Sequence, residues 1–266
     1  MMGMSAKEKA RLRDKYGPWA VVTGASSGIG RYIALQLAEA GINLVLVARR
    51  RGPMEEIAGA SPAETRIIEA DLGRDEEIER VLAETGKLDV GMLVASAGFG
   101  TSGAFIESPL RAELDMLQVN CRALVTMTHH FARRFTKRGR GGLVLLSSLV
   151  GFQGVPFAAH YAATKAYVQS LAEGLHVELA PLGVDVLAAA PGPTHSGFAD
   201  RAGMTMGMAI RSEDVARPTL QALGRTATVM PGLLTKFLMG SLASLPRRGK
   251  VRVMGKVMRG MTNHGA

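Results

Sequence analysis

The sequence predicts an α/β protein built on a doubly wound parallel sheet, and three observations carry that expectation. Short apolar runs alternate with longer segments of helical period, the order of repeated strand–helix–strand units. Several runs are apolar almost without interruption, as in Leu143 to Leu146, which suits strands covered on both faces. A glycine-rich loop, Thr23-Gly24-Ala25-Ser26-Ser27-Gly28-Ile29-Gly30, separates the first run from the first helical segment. At 266 residues and 47% apolar side chains, the chain suits one large domain with an ample core.

Taken in order, the first strand is predicted at 19–23 and ends at the glycine loop, from which a helix runs over 29–40. The second strand, 43–48, contains Leu44-Val-Leu-Val-Ala48 and leads to a helix at 54–60. Strand 65–70, helix 75–85 and strand 90–95 repeat the alternation, and a long helix follows at 110–136. Strand 142–147 holds Gly142-Leu-Val-Leu-Leu-Ser-Ser148; helix 160–181, strand 184–190, helix 212–223 and a weak strand at 226–230 complete the series. No repeat or low-complexity linker divides the chain. Residues 1–230 read as a single cofactor-binding and catalytic domain, 231–266 as its C-terminal helical extension, and 191–207, rich in Gly and Met, as a flexible substrate loop.

Composition removes several function classes. No run of 18 apolar residues is present to cross a membrane, and the polar start of the chain lacks a signal-peptide core, so a cytoplasmic protein is expected. The single Cys121 excludes an internal disulfide and multi-thiol zinc sites and reads as a buried core thiol. Net charge is +9, and nine basic residues follow Asp214, the last acid, so the whole excess lies in the final 52 residues. That tail lacks aromatic interleaving and any nucleic-acid motif, so no nucleic-acid partner is expected.

The chemistry concentrates at Tyr161 and Lys165, which lie four residues apart and so share one helix face. A nearby ammonium favours phenolate and is expected to lower the Tyr161 pKa toward the range of a working proton donor. Ser148, thirteen residues earlier at the end of an apolar run, offers a hydroxyl to the substrate oxygen that Tyr161 would protonate. Gly24, Ser26, Ser27, Gly28, Ile29 and Gly30 sit between strand and helix, where backbone N–H groups and a positive helix end favour a dinucleotide pyrophosphate. At the end of the second strand Ala48 stands where an NAD enzyme usually has an acid, and Arg49 supplies a guanidinium suited to a 2′-phosphate, favouring NADP(H). Arg31 is a second candidate for that phosphate.

Together these motifs resemble the short-chain dehydrogenase/reductase family over roughly residues 18 to 225. The family pattern TGxxxGxG, NNAG, a helix Asn, a Ser, YxxxK and PG is matched by Thr23 to Gly30, Ala95-Ser96-Ala97-Gly98, Asn120, Ser148, Tyr161 to Lys165 and Pro191-Gly192. Ala95 and Ser96 replace the family's two asparagines, the first of which mainly ties neighbouring strands together, so a structural loss is expected there. The resemblance implies a Rossmann fold and hydride transfer between NADP(H) and a carbonyl or alcohol. It makes Tyr161 the acid/base, gives Lys165 the nicotinamide ribose, and has Asn120 position a water for proton relay. It places Asp71 and Leu72 at the adenine, Ala97 and Gly98 along the cofactor, and Pro191, Gly192 and Thr194 at the carboxamide. It further implies pairing of helices 110–136 and 160–181 with their copies, as homodimer or homotetramer. A catalytically idle NADP-binding regulatory protein is the alternative.

His129, His130 and His160 lack metal-ligand or acid-paired spacing and read as structural or pocket-wall residues, with no metal expected. Of Phe99, Phe105, Phe152, Phe157 and Phe198, several are expected to line an apolar pocket for a lipophilic small-molecule substrate. In the tail, Val251, Val253, Met254, Val257, Met258 and Met261 fall on one helical arc, opposite Arg248, Arg252, Lys256 and Arg259. Such a helix either lies on an anionic membrane or acidic partner, or packs its methionines on the enzyme's own body or its dimer mate.

Overall fold

The computed structural model describes residues 4–205 and 209–262. Its centre is a seven-stranded parallel sheet made of β1 (Trp19–Thr23), β2 (Asn43–Ala48), β3 (Thr65–Glu69), β4 (Val90–Ala95), β5 (Gly141–Leu146), β6 (Val184–Ala189) and β9 (Thr228–Val229). A separate two-stranded ladder joins β7 (Thr194–His195) to β8 (Ile210–Arg211). The spatial order β3-β2-β1-β4-β5-β6-β9 reverses direction between β1 and β4. The crevice beyond the carboxyl ends of those two strands is where such sheets bind their ligands.

Helices cover both faces. On one, α1 (Ala6–Tyr16), α2 (Gly28–Glu39), α3 (Gly52–Ala60) and α9 (Ser212–Ala222) bury Leu12, Ile33, Met54 and Leu220 against the sheet. On the other, α4 (Asp75–Glu84), α6 (Leu124–Arg138) and α7 (Ala159–Leu179) bury Ile78, Phe131, Phe135 and Val168. The central strands are buried along their whole length because both faces are covered, which is why they read as unbroken apolar runs.

Several expectations needed adjustment. The long helix 110–136 is α5 (Leu110–Leu117), a π-helical turn at Gln118–Ala123, and α6, so one wide turn interrupts the α-helical ladder at Asn120. The weak strand 226–230 shortens to two residues, which pair with Ala188 and Ala189. Helix α1 was not expected. Ser5 accepts a hydrogen bond from the Glu8 amide at 3.3 Å, and Leu12 and Tyr16, one turn apart, are fully buried. The Tyr16 hydroxyl donates to Asp185 at 2.7 Å, and buried Glu8 pairs with Arg11 and Arg225. The described part of loop 191–207 contains β7 and α8 (Phe198–Ala202); residues 206–207 lie outside the described residues.

Beyond β9 come α10 (Leu233–Ala243) and α11 (Arg247–Met261). Met254 and Met258 of α11 join Val155, Ala158, Ala162 and Leu242 in a third apolar cluster, which also touches Tyr161. The methionine face therefore packs on the chain's own body.

Candidate active site

The glycine loop crosses the switch point under tight constraint. Gly24 has φ +66°, and a Cβ there would lie 2.9 Å from the Ala97 backbone; one on Gly30 would lie 2.6 Å from the Gly24 carbonyl. Where Ala95 and Ser96 replace asparagines, a different residue ties the strands. The Thr23 hydroxyl accepts from the amides of Ser96 and Ala97, both at 3.0 Å, and donates to the Val94 carbonyl at 3.4 Å. The expected loss is thereby offset from the neighbouring strand.

One cavity of about 920 Å³ runs from this loop across the carboxyl edge of the sheet. Of the loop residues, Gly24, Ser26, Ser27, Gly28 and Ile29 line it, as do Arg49, Asp71, Leu72, Ala97 and Gly98 farther along. Ser148, Tyr161 and Lys165, the candidate catalytic group, line it together with Pro191, Gly192 and Thr194. Gly30, Arg31 and Asn120, of the expected site residues, do not line it, Gly30 lying close against the Gly24 carbonyl.

The cavity's chemistry fits a phosphorylated dinucleotide. Ser27, the N-cap of α2, places no side-chain oxygen on the first-turn amides, which leaves them to an anion. Arg49 and Arg50 both line the cavity, Arg50 reaching Ser26 Oγ at 3.4 Å, whereas Arg51 pairs with Glu55 at 2.8 Å. Arg31 donates to the Pro53 carbonyl and pairs with Glu56, both at 3.0 Å, and does not line the cavity.

Within the candidate catalytic group, Lys165 Nζ donates to the Leu146 carbonyl at 2.7 Å and lies 5.9 Å from the Tyr161 ring centroid. Burial pulls the Lys165 ammonium down to about 8. The expected depression of Tyr161 by Lys165 is not found. Burial pushes the Tyr161 phenol above its ordinary value, and the opposing group is Ser148 through its hydrogen bond. The physical reason is that both groups share one desolvated pocket, where each charged form loses its hydration. Although the Tyr161 ring keeps some exposure, its titrating end behaves as buried.

Asn120 is fully buried in the π-turn. Its Nδ2 donates to the Phe99 carbonyl at 2.8 Å and to Thr164 Oγ1 at 3.0 Å, while Oδ1 accepts from the Phe99 amide at 3.0 Å. Its side chain fixes the strand-end segment beside Lys165, leaving one Oδ1 lone pair for anything else. A Cβ on Gly98 would lie 2.9 Å from that oxygen and 3.5 Å from Lys165 Nζ, so only glycine lets the two converge here.

The family model described as short chain dehydrogenase matches residues 18–206, well over half of the chain. The chain belongs to the short-chain dehydrogenase family. A 7beta-hydroxysteroid dehydrogenase of Clostridium sardiniense is 32% identical over 254 residues, covering 92% of this chain and 97% of that protein. A solved structure from work on 7beta-hydroxysteroid dehydrogenase stereoselectivity superposes with a TM-score of 0.84 at 27% identity, covering 91% of this chain and 98% of the other. A short-chain dehydrogenase from Sphingobium yanoikuyae in complex with NADPH gives 0.78 at 28% identity, with coverages of 87% and 97%. As a member, this chain is an oxidoreductase of the fold that binds NAD or NADP.

Some parts of this short-chain dehydrogenase were not visible in sequence. Arg201, on α8, stacks on the Phe99 ring with its guanidinium carbon 3.8 Å from the centroid and lines the cavity. Phe198, one turn earlier, sets its ring 5.0 Å from that of Tyr161. Phe99 and Phe198 line the cavity as expected, but Phe105, Phe152 and Phe157 do not. His160 does meet an acid, its Nδ1 lying 3.6 Å from the buried Glu113, a pairing across 47 residues that no local spacing reveals. Cys121 is a buried thiol raised by that burial. Among the described residues no cluster of metal-ligating side chains occurs, and no helix is long and apolar enough to cross a membrane.

Proposed function

We propose that this chain is an NADP(H)-dependent carbonyl reductase or alcohol dehydrogenase acting on a bulky, lipophilic substrate. The observation that carries the reading is a single cavity joining the glycine loop to Tyr161, Ser148 and Lys165 and continuing into an apolar chamber. That chamber is walled by Leu149, Val150, Met204, Leu242, Met254 and Met258. Its apolar surface selects substrate by area removed from water, while the polar groups converge at one end to fix the reacting oxygen. The resemblance to 7beta-hydroxysteroid dehydrogenases is consistent with a large fused-ring or long-chain ketone.

A nicotinamide cofactor held along Gly24 to Ile29, Arg49 and Lys165 would supply or accept the hydride that the substrate carbon exchanges. Tyr161 donates its phenolic proton to the carbonyl oxygen in reduction and takes it back in oxidation. Ser148 donates a hydrogen bond to the same oxygen and stabilises the charge that develops there. Lys165 would hold the nicotinamide ribose and, charged below about 8, supply the positive field beside the phenol. Asn120 secures the Phe99 segment and offers its remaining acceptor to a relay water. Arg49, with Arg50 beside it, receives the 2′-phosphate. The exposed apolar faces of α5 and α7 pair with a second copy.

NADPH oxidation with a panel of steroid, aliphatic and acyl-thioester ketones tests this. Turnover of at least one bulky ketone, abolished in Tyr161→Phe while NADPH binding remains, is the expected result. NADPH binding with no turnover across the panel would support the idle regulatory alternative, and wild-type turnover by Tyr161→Phe would refute the mechanism.

A further inference from the structure

Helices α10 and α11 carry a surface that the cavity does not use. On α10, Leu233 and Phe237 lie one turn apart on a shared face and are 85% and 72% exposed. Lys236 stands exposed between them in sequence, able to lay its stem along the same face.

Helix α11 divides into three strips. Met254 and Met258 are buried on the body. Val253 and Val257, 39% and 43% exposed, belong both to the outer surface and to the rim of the cavity. Arg248, Arg252, Lys256 and Arg259 are exposed along the remainder. No acidic residue follows Asp214, so this segment has no carboxylate of its own to neutralise them.

We propose that α10 and α11 dock the enzyme on an anionic lipid bilayer. Leu233 and Phe237 enter the interface, the α11 cations meet lipid headgroups, and the cavity mouth at Val253 and Val257 opens toward the acyl region. Large apolar side chains beside a dense basic strip form the pattern of a helix lying in the membrane plane. Each cation near an anionic surface is worth about 5-fold in partition.

A second copy of this chain is the poorer occupant. A two-fold axis passing through the α11 strip would set it against its own copy, cation on cation, in a segment without an acid. The bilayer also explains why the cavity rim and the exposed apolar surface share Val253 and Val257: a lipophile passing from the acyl region to Tyr161 crosses no water. This last point rests on the proposed function. Docking itself requires no substrate.

The test is cosedimentation of the full chain with phosphatidylcholine vesicles and with vesicles containing phosphatidylglycerol, at low and high salt. Binding to the anionic vesicles that fades at high salt is expected. The pairs Leu233→Ser/Phe237→Ser and Arg252→Gln/Lys256→Gln should each weaken it by about 10-fold or more. Both variants should keep their circular dichroism and their reduction of a water-soluble ketone without vesicles. Equal binding of either variant and the parent overturns the proposal, as does failure of the parent to bind. A fall in oligomer size in Leu233→Ser/Phe237→Ser by light scattering also overturns it, assigning the patch to a subunit interface. Vesicle binding by a protein inactive on every ketone would leave docking standing and remove the proposed function instead.

Discussion

At the scale of single residues, two side chains make the proposed chemistry measurable. Arg49 lines the cavity where Ala48 leaves no acid for a ribose hydroxyl. Arg49→Ala should therefore raise the KM for NADPH by an amount matching about 1.5–3 kcal/mol, with little change for NADH. Equal kcat/KM values for the two cofactors in the parent enzyme would contradict the assignment. Lys165 titrates at about 8, below its ordinary value. It is charged below that pH and neutral above it, so reductive kcat/KM should hold on the acid side and fall as pH rises through about 8. A flat profile to pH 10 would count against Lys165 as the charged partner. That Ser148, Tyr161 and Lys165 converge was legible because they sit at fixed spacing on a strand end and one helix. Arg201 and the Glu113–His160 pair were not, because their partners come from distant segments and loop geometry alone joins them.

At the scale of elements, α5 turns Leu110, Leu114 and Leu117 to solvent on one face, and α7 exposes Tyr167 and Val177. Apolar side chains left exposed in this way are surplus to one subunit's core. Light scattering at micromolar concentration should give at least a dimer, and Leu114→Glu should shift it toward monomer. A parent protein that is already monomeric would remove the α5–α7 interface. The sheet was readable from sequence almost strand by strand because burial on both faces leaves an unbroken apolar signal. Helix α1 was missed although Ser5, Glu8, Leu12 and Tyr16 held its cap and buried face. Its many charged residues hid a stripe only two side chains long. The π-turn at Asn120 was not read from the sequence, and the partners that Asn120 bonds there, Phe99 and Thr164, lie outside that helix.

For the molecule as a whole, the charge map and the apolar map separate the catalytic body from the segment that roofs it. Met258 is 3% exposed and faces both the body and the chamber. Met258→Ala should cost about 2–5 kcal/mol of stability by the usual large-to-small rule. It should also raise KM for bulky ketones more than for small ones. A thermal midpoint and a small-ketone to large-ketone ratio both unchanged would mean that α11 does not roof the site. The sequence left two readings of the tail open because a helical wheel gives an apolar arc without saying what covers it. The structure supplies the cover in Val155, Ala158 and Ala162.

That roof also has a consequence in time. Lys165 completes the catalytic group 82 residues before Arg247 begins the helix that closes over it. At translation rates of about 5–20 residues per second, those residues take roughly 4 to 16 seconds to appear. During that interval the nascent chain carries Ser148, Tyr161 and Lys165 without the helix whose Met254 and Met258 pack beside Tyr161. Apolar walls such as Val155, Ala158 and Ala162, which α11 later covers, are then bare, a surface of the kind that chaperones bind.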